Sequence, residues 1–272
     1  MNFKQESFFK IALVQVEPRK NPYDNIRLAE EASEYAYKGG ASLIVFPEMF
    51  MACPPFFSSL KDIAQPIDGE FVNSMLKIAG ENQIFLASTF WETGEEDKVY
   101  NTAFLCSPYG ELISVYRKLH LFDAFNLQES QWMIAGKELP EVVEIQGIKV
   151  ALTICYDIRF PELYRYLARS KTHLTLVLSA WYKGILKEDH WMTLLRARAI
   201  ENTFYMAGVG CIGKRFCGRS AVVDPYGIIM CEAGEEEKII FADISKRRVD
   251  EVRRRLPSIY HVREDILSNQ KE

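Results

Sequence analysis

Three polar residues in apolar surroundings suggest chemistry before any element is assigned. Cys155 closes the run Val150-Ala151-Leu152-Thr153-Ile154, and Pro161 opens a helical stretch soon after, so a thiol stands at the C-terminal end of an apolar strand. That geometry exposes a nucleophile and aims backbone N–H groups at the same spot, which suits a developing oxyanion. A cysteine there is also ordinary core material. It signifies catalysis only with a base and an electrophile nearby. Glu48 follows Leu43-Ile44-Val45-Phe46-Pro47, which puts a carboxylate at the end of a second apolar strand, where ligand sites collect in α/β sheets and a proton can be accepted. Lys118 ends Tyr116-Arg117-Lys118 at a strand-to-loop boundary; an ammonium there can neutralise an oxyanion, although alone it is more often a solvated charge. The histidines His120, His173, His190 and His261 form no run typical of a Cys-His pair, and His120, two residues past Lys118, reads as an ordinary loop histidine.

The elements that must hold these groups alternate between short apolar runs and amphipathic stretches. Phe9–Val16 reads as a strand, then a helix over about 25–37 carries Ile26, Ala29, Ala32 and Ala36 on one face and ends at Gly39-Gly40. A strand over 42–46, a helix over 70–79 and a strand over 84–88 follow. Residues 100–117 read as a β-hairpin turning at Ser107-Pro108-Tyr109-Gly110, and 118–140 as a long loop of the kind that is often functional. The second half repeats the grammar: strand 149–155, helix 161–169 with proline at its start, strand 174–178, helix 187–202, then strands near 204–209, 220–223, 228–230 and 238–242 and a charged helix over 245–255. The halves share a layout without a residue-level repeat. No linker or low-complexity run divides the chain, so the reading is one α/β domain over 1–272, with a core of about 8–256 and a tail over 257–272.

Composition narrows the function classes. The chain has 272 residues, 48% apolar and 26% charged, and can bury a core without metal or disulfide staples. A formal charge of −4 argues against a nucleic-acid partner. No segment is apolar for long enough to span a bilayer, and residues 1–7 show no secretory leader, so a cytoplasmic location is expected. The six cysteines are scattered and read as free thiols in a reducing compartment. No H-E-x-x-H or paired-cysteine spacing is present, so neither a metal nor an organic cofactor is expected.

Taken together and in order, Phe46-Pro47-Glu48, Tyr116-Arg117-Lys118-Leu119-His120-Leu121-Phe122 and Ile154-Cys155-Tyr156-Asp157-Ile158-Arg159-Phe160-Pro161-Glu162 resemble the nitrilase superfamily of carbon–nitrogen hydrolases. The likeness continues through Leu195–Asn202 and Gly218–Gly227 and covers nearly the whole chain. It implies a four-layer α-β-β-α sandwich and a homodimer or larger homo-oligomer, with Arg196, Arg198 and Glu201 on the long helix serving that interface, or Arg198 and Glu201 forming only a surface i,i+3 pair. It also implies Glu48 as general base, Lys118 as oxyanion stabiliser and Cys155 as nucleophile. A second glutamate of the family matches Glu129 in Leu127-Gln128-Glu129-Ser130, although Ala135-Gly136 stands where relatives often have Pro-Gly. Phe160-Pro161-Glu162-Leu163 and the Tyr-Asp after the cysteine look closest to the branches containing ω-amidases and deaminated-glutathione amidases.

The implied reaction is hydrolysis of a small amide through a thioester with release of ammonia, the Tyr156 N–H helping to hold the oxyanion. Arg159 could bind a substrate carboxylate, or instead pair with Asp157 or Glu162 and brace the loop. Trp181, Tyr182, Phe125 and Trp132 could wall the pocket. Hydrolysis of N-carbamoyl amines, which would release carbon dioxide as well, and a non-catalytic binding or redox-sensing role remain the other readings.

Overall fold

The structure is a computed structural model that describes residues 8–263; residues 1–7, where no leader is read, and the tail beyond 263 lie outside the described residues. The first half runs β1 (Phe9–Gln15), α1 (Pro22–Lys38), β2 (Leu43–Val45), the short α2 (Leu60–Ile63), α3 (Glu70–Glu81), β3 (Phe85–Thr93), β4 (Val99–Cys106) and β5 (Leu112–Arg117). A small connection follows, β6 (Asp123–Ala124) and β7 (Leu127–Gln128). The second half runs β8 (Val142–Ile145), β9 (Ile148–Ile154), α4 (Pro161–Arg169), β10 (Leu174–Ser179), α5 (Lys187–Asn202), β11 (Tyr205–Gly210), β12 (Ala221–Val223), β13 (Ile229–Glu232), β14 (Lys238–Ile244) and α6 (Lys246–Arg255).

Two six-stranded sheets result, ordered β14-β1-β2-β3-β4-β5 and β8-β9-β10-β11-β12-β13. In each, three parallel strands (β1, β2, β3; β9, β10, β11) are flanked by antiparallel ones, so the likeness of the halves is topological. Side chains alternate across β1 with the period of two that a strand imposes. Phe9, Ile11 and Leu13 share an apolar cluster with Val150, Leu152 and Leu176 of the other sheet. Ala12 and Val14 instead meet Ala29, Ala32 and Ala36 of α1 and Val72 and Met75 of α3. Helices α4 and α5 cover the second sheet through Leu163, Leu167, Trp191 and Leu195, completing the α-β-β-α sandwich. Gly208 on β11 lets α5 lie this close, since a Cβ there would stand 2.6 Å from the Trp191 ring.

Local signals account for most boundaries. Asn21 caps α1 by accepting from Tyr23 N, with Pro22 in the first turn; Gly39 is still helical and Gly40, at φ +77°, is the left-handed residue that ends it. The loop expected over 118–140 holds the β6–β7 hairpin, whose Phe125-Asn126 turn takes φ of 52° and 66°, and a 3-10 turn over Glu129–Gln131. Strand β8 escaped the sequence reading because Val142, Val143 and Glu144 lie half-exposed or exposed on a sheet edge and lack a clean alternation. Among the described residues, no helix is long and apolar enough to cross a membrane.

Candidate active site

The cleft forms where strand ends from both sheets meet. Strand β9 stops at Ile154 rather than at the cysteine, and Cys155 opens a 3-10 turn over Cys155–Arg159 with φ at +44°. A non-glycine residue is strained there, and such strain clusters where a side chain is held for use. Glu48 lies three residues past β2, is 1% exposed and accepts through both oxygens: Oε1 takes Asn101 Nδ2 at 2.8 Å and Lys118 Nζ at 3.1 Å, while Oε2 takes the Ala180 N–H at 2.7 Å and keeps a lone pair for a further proton. The thiol of Cys211 donates to the Glu48 carbonyl and pins the backbone.

Lys118 follows β5 directly and is held by its own backbone, donating to Asn101 O at 2.9 Å and accepting from Gly136 N at 2.8 Å. Glycine is needed at 136 because a Cβ would lie 2.3 Å from the Arg117 carbonyl, in the strand that presents the lysine. Nζ also meets Glu129 Oε1 at 3.0 Å and Oε2 at 2.8 Å. Glu129 is fixed from the hairpin side by the Phe122 N–H at 2.8 Å. One ammonium thus sits between two buried carboxyl groups.

The charges follow from that packing. Burial works against the Lys118 charge, but Glu129 and Glu48 outweigh it and hold the ammonium well above the usual lysine range. Burial pushes Glu129 up, with Lys118 pulling the other way. Burial and then the charge of Glu48 push the Cys155 thiol well above its usual range, against the pull of Lys118. The thiol therefore waits protonated beside a carboxylate, and attack requires proton transfer as the bond forms.

A clamp that the sequence reading missed ties the lysine segment to the nucleophile turn. Fully buried Asp157 accepts from Tyr116 OH at 2.7 Å, Ile154 N at 3.0 Å, His120 N at 3.2 Å and faces His120 Nδ1 at 2.8 Å. His120 also stacks on Phe160, with ring centroids 3.6 Å apart. Tyr116 and His120 flank Lys118, so one carboxylate fixes two of the three motifs against each other. Asp157→Ala is expected to cost about 2–4 kcal/mol in urea unfolding, because several buried donors lose their acceptor at once. A loss below about 1 kcal/mol would mean that the clamp carries no structural weight.

Arg198 is inward rather than on an interface surface: it is 6% exposed, donates to Ile158 O at 2.9 Å and pairs with Glu201, so α5 grips the same turn. Arg196 bonds Gly227 O within the chain. Tyr156, Trp181 and Tyr182 wall the cleft with Met49, Phe122 and Lys187, leaving a free interior of about 10 Å³, room for roughly one water. Trp132 lies elsewhere, beside Phe57, Lys61 and Lys98, because the turn that points Glu129 inward carries the next residues outward. Arg159 stacks 4.9 Å from the Trp181 ring, with Nη2 3.3 Å from His190 Nδ1. It forms no ion pair with Glu162 among the described residues, and Asp157 bonds the clamp instead.

The carbon-nitrogen hydrolase family model matches residues 10–254. A deaminated glutathione amidase of Escherichia coli O157:H7 is 34% identical, over 86% of this chain and 89% of that protein. The omega-amidase NIT2 of Mus musculus is 32% identical, over 96% and 97% respectively. Among solved structures, a variant of the amidase from Nesterenkonia sp. AN1 superposes with a TM-score of 0.86 at 25% identity, covering 98% of both chains; it carries the acetamide moiety of fluoroacetamide covalently added at its active-site cysteine.

Proposed function

The chain belongs to the carbon–nitrogen hydrolase family and is a cysteine-dependent amidase, and on that premise we propose that Cys155, Glu48, Lys118 and Glu129 perform its chemistry on a small ω-amide that bears a carboxylate. The observation that carries the reading is the convergence of a strained, buried thiol with an ammonium bonded to two carboxyl groups in one narrow cleft.

Glu48 takes the thiol proton as Sγ bonds to the amide carbonyl carbon. Lys118 and the Tyr156 N–H hold the tetrahedral oxyanion, an interaction whose loss typically costs ~10²–10³ in rate. Glu48 returns the proton to the departing nitrogen, and the C–N bond breaks to leave a thioester and ammonia. A water that gives a proton to Glu48 then attacks the thioester, and Glu48 passes that proton to the departing Sγ, so the acid and the free thiol are released. Glu129 keeps Lys118 charged and aimed. Arg159, seated on the Trp181 ring, binds the substrate carboxylate. The relatives' names support an ω-amide substrate, and six free thiols fit the reducing cytosol. A second copy of the chain fits the exposed apolar strip of Ile200, Tyr226 and Ile228, and a light-scattering mass tests that assembly.

Ammonia release over a panel of ω-amide carboxylates, neutral amides, N-carbamoyl amino acids and nitriles tests the substrate class. The expected order places succinamate or glutaramate first. Carbon dioxide released together with ammonia from a carbamoyl compound at the highest rate would replace this reading with the carbamoyl one.

A further inference from the structure

Lys187 is the charged group of the cleft that the chemistry above leaves unused. It opens α5, is 7% exposed and lines the same cleft as Cys155. Its ammonium lies 4.7 Å from the Trp181 ring and 5.1 Å from each of the Phe122 and Phe125 rings. Among the described residues, no hydrogen bond or ion pair to an acceptor is found for Nζ. The side chain has a defined seat: a Cβ at Gly184 would stand 3.0 Å from its Cγ.

This placement is costly in three ways. The charge is desolvated, no acidic group of the described residues bonds it although Glu188 of the same turn offsets part of its charge, and it occupies the first turn of a helix, where the macrodipole disfavours a cation. Aromatic faces offset part of the cost but do not replace an anion. Burial and the nearby Arg159 charge lower its pKa, the direction expected of an ammonium kept beside a second cation. Glu48 and Glu129 would repel an anionic substrate, and Lys118 is already shared between them. A cleft built this way needs a further cation if its amide substrate is an anion.

We propose that Lys187 is the specificity-determining residue of the cleft, holding the carboxylate of an anionic amide together with Arg159 on the same Trp181 ring. The inference rests on the amidase reading and adds to it the residue that selects for charge. The bound carboxylate supplies the counter-ion that the protein withholds, so part of the cost of burying Lys187 returns as affinity for that one class of substrate.

The test compares glutaramate with butyramide, the neutral amide of similar length, in wild type, Lys187→Met and Lys187→Arg. Methionine keeps the apolar stem and removes the charge. The ratio of kcat/KM for glutaramate over butyramide is expected to fall about 10- to 100-fold in Lys187→Met, mainly through KM, which is the loss of one charge-assisted contact. Lys187→Arg is expected to recover a large part of the ratio. An unchanged ratio, including one left by equal loss on both amides, overturns the proposal while the amidase reading stands. Wild-type protein that releases ammonia from neither amide sinks both.

Discussion

Cys155→Ala is expected to lower amide turnover by at least about 10⁴-fold, because a nucleophile acting as a unit with its base cannot be replaced by the remaining oxyanion donors. Cys155→Ser is expected to fare little better: Glu48 would have to deprotonate an alcohol instead of a thiol. The wild-type pH profile follows from the neutral resting thiol. Its pKa is raised by burial and by Glu48, so thiolate forms only as Glu48 accepts the proton. Activity should therefore show no rise centred near the free-cysteine value of about 8.5, and alkylation of Cys155 by iodoacetamide should be slow and equally lacking in that inflection. Intact-mass measurement during turnover should show an acyl adduct on wild type that is absent from Cys155→Ala. Residual activity of Cys155→Ala above about 1% of wild type, measured on protein free of wild-type contamination, would remove Cys155 from the mechanism.

The residues that were legible in the sequence are those whose surroundings are local. Cys155 and Glu48 each end an apolar run, so their place at a strand terminus follows from the chain itself. Pro161 and Gly40 punctuate helices in ways that need no tertiary knowledge, whereas α1 begins at Pro22, ahead of the expected start near 25. What stayed hidden depends on partners far away in sequence. Asn101 looks like any polar residue in a hairpin until β4 lies beside the loop after β2 and its amide meets Glu48, 53 residues away. Arg198 and Glu201 do form the i,i+3 pair that helix spacing suggests, yet the helix is turned so that Arg198 reaches the Ile158 carbonyl. In the sequence Asp157 stands as an ion-pair partner for Arg159, two residues on, but the tight 3-10 turn directs its carboxylate back to Ile154 N and across to Tyr116. Lys187 gave no sequence signal beyond a lysine where a helix start favours acids.

Lys118→Met should damage stability and rate together, and with a distinctive dependence on pH. The ammonium is bonded to three carboxyl oxygens at 2.8–3.1 Å, and its removal leaves Glu48 and Glu129, 1% and 3% exposed, facing each other. Breaking one side of such a buried pair typically costs about 3–5 kcal/mol. The rate should fall by at least about 10³-fold, since an oxyanion donor is lost and a carboxyl pair that cannot ionise together leaves the base partly protonated. In wild type, the folded pKa of Lys118 is raised, so its contribution is fully present below the unfolded lysine value of about 10.4 and is lost only as pH climbs through the higher folded value. That contribution is constant between about pH 5 and 9. In the variant, Glu129, already raised by burial despite the lysine, must rise further. A carboxyl whose folded pKa is raised favours the native state below its unfolded value of about 4.3, and that advantage disappears as pH increases through the folded value. The stability deficit of Lys118→Met should therefore be smallest near pH 4 and widen toward pH 8, and adding Glu129→Gln should narrow it again. Urea midpoints across that range decide the matter: a deficit that stays flat would show that the carboxyls find other partners, and that Lys118 does not hold the site together by charge.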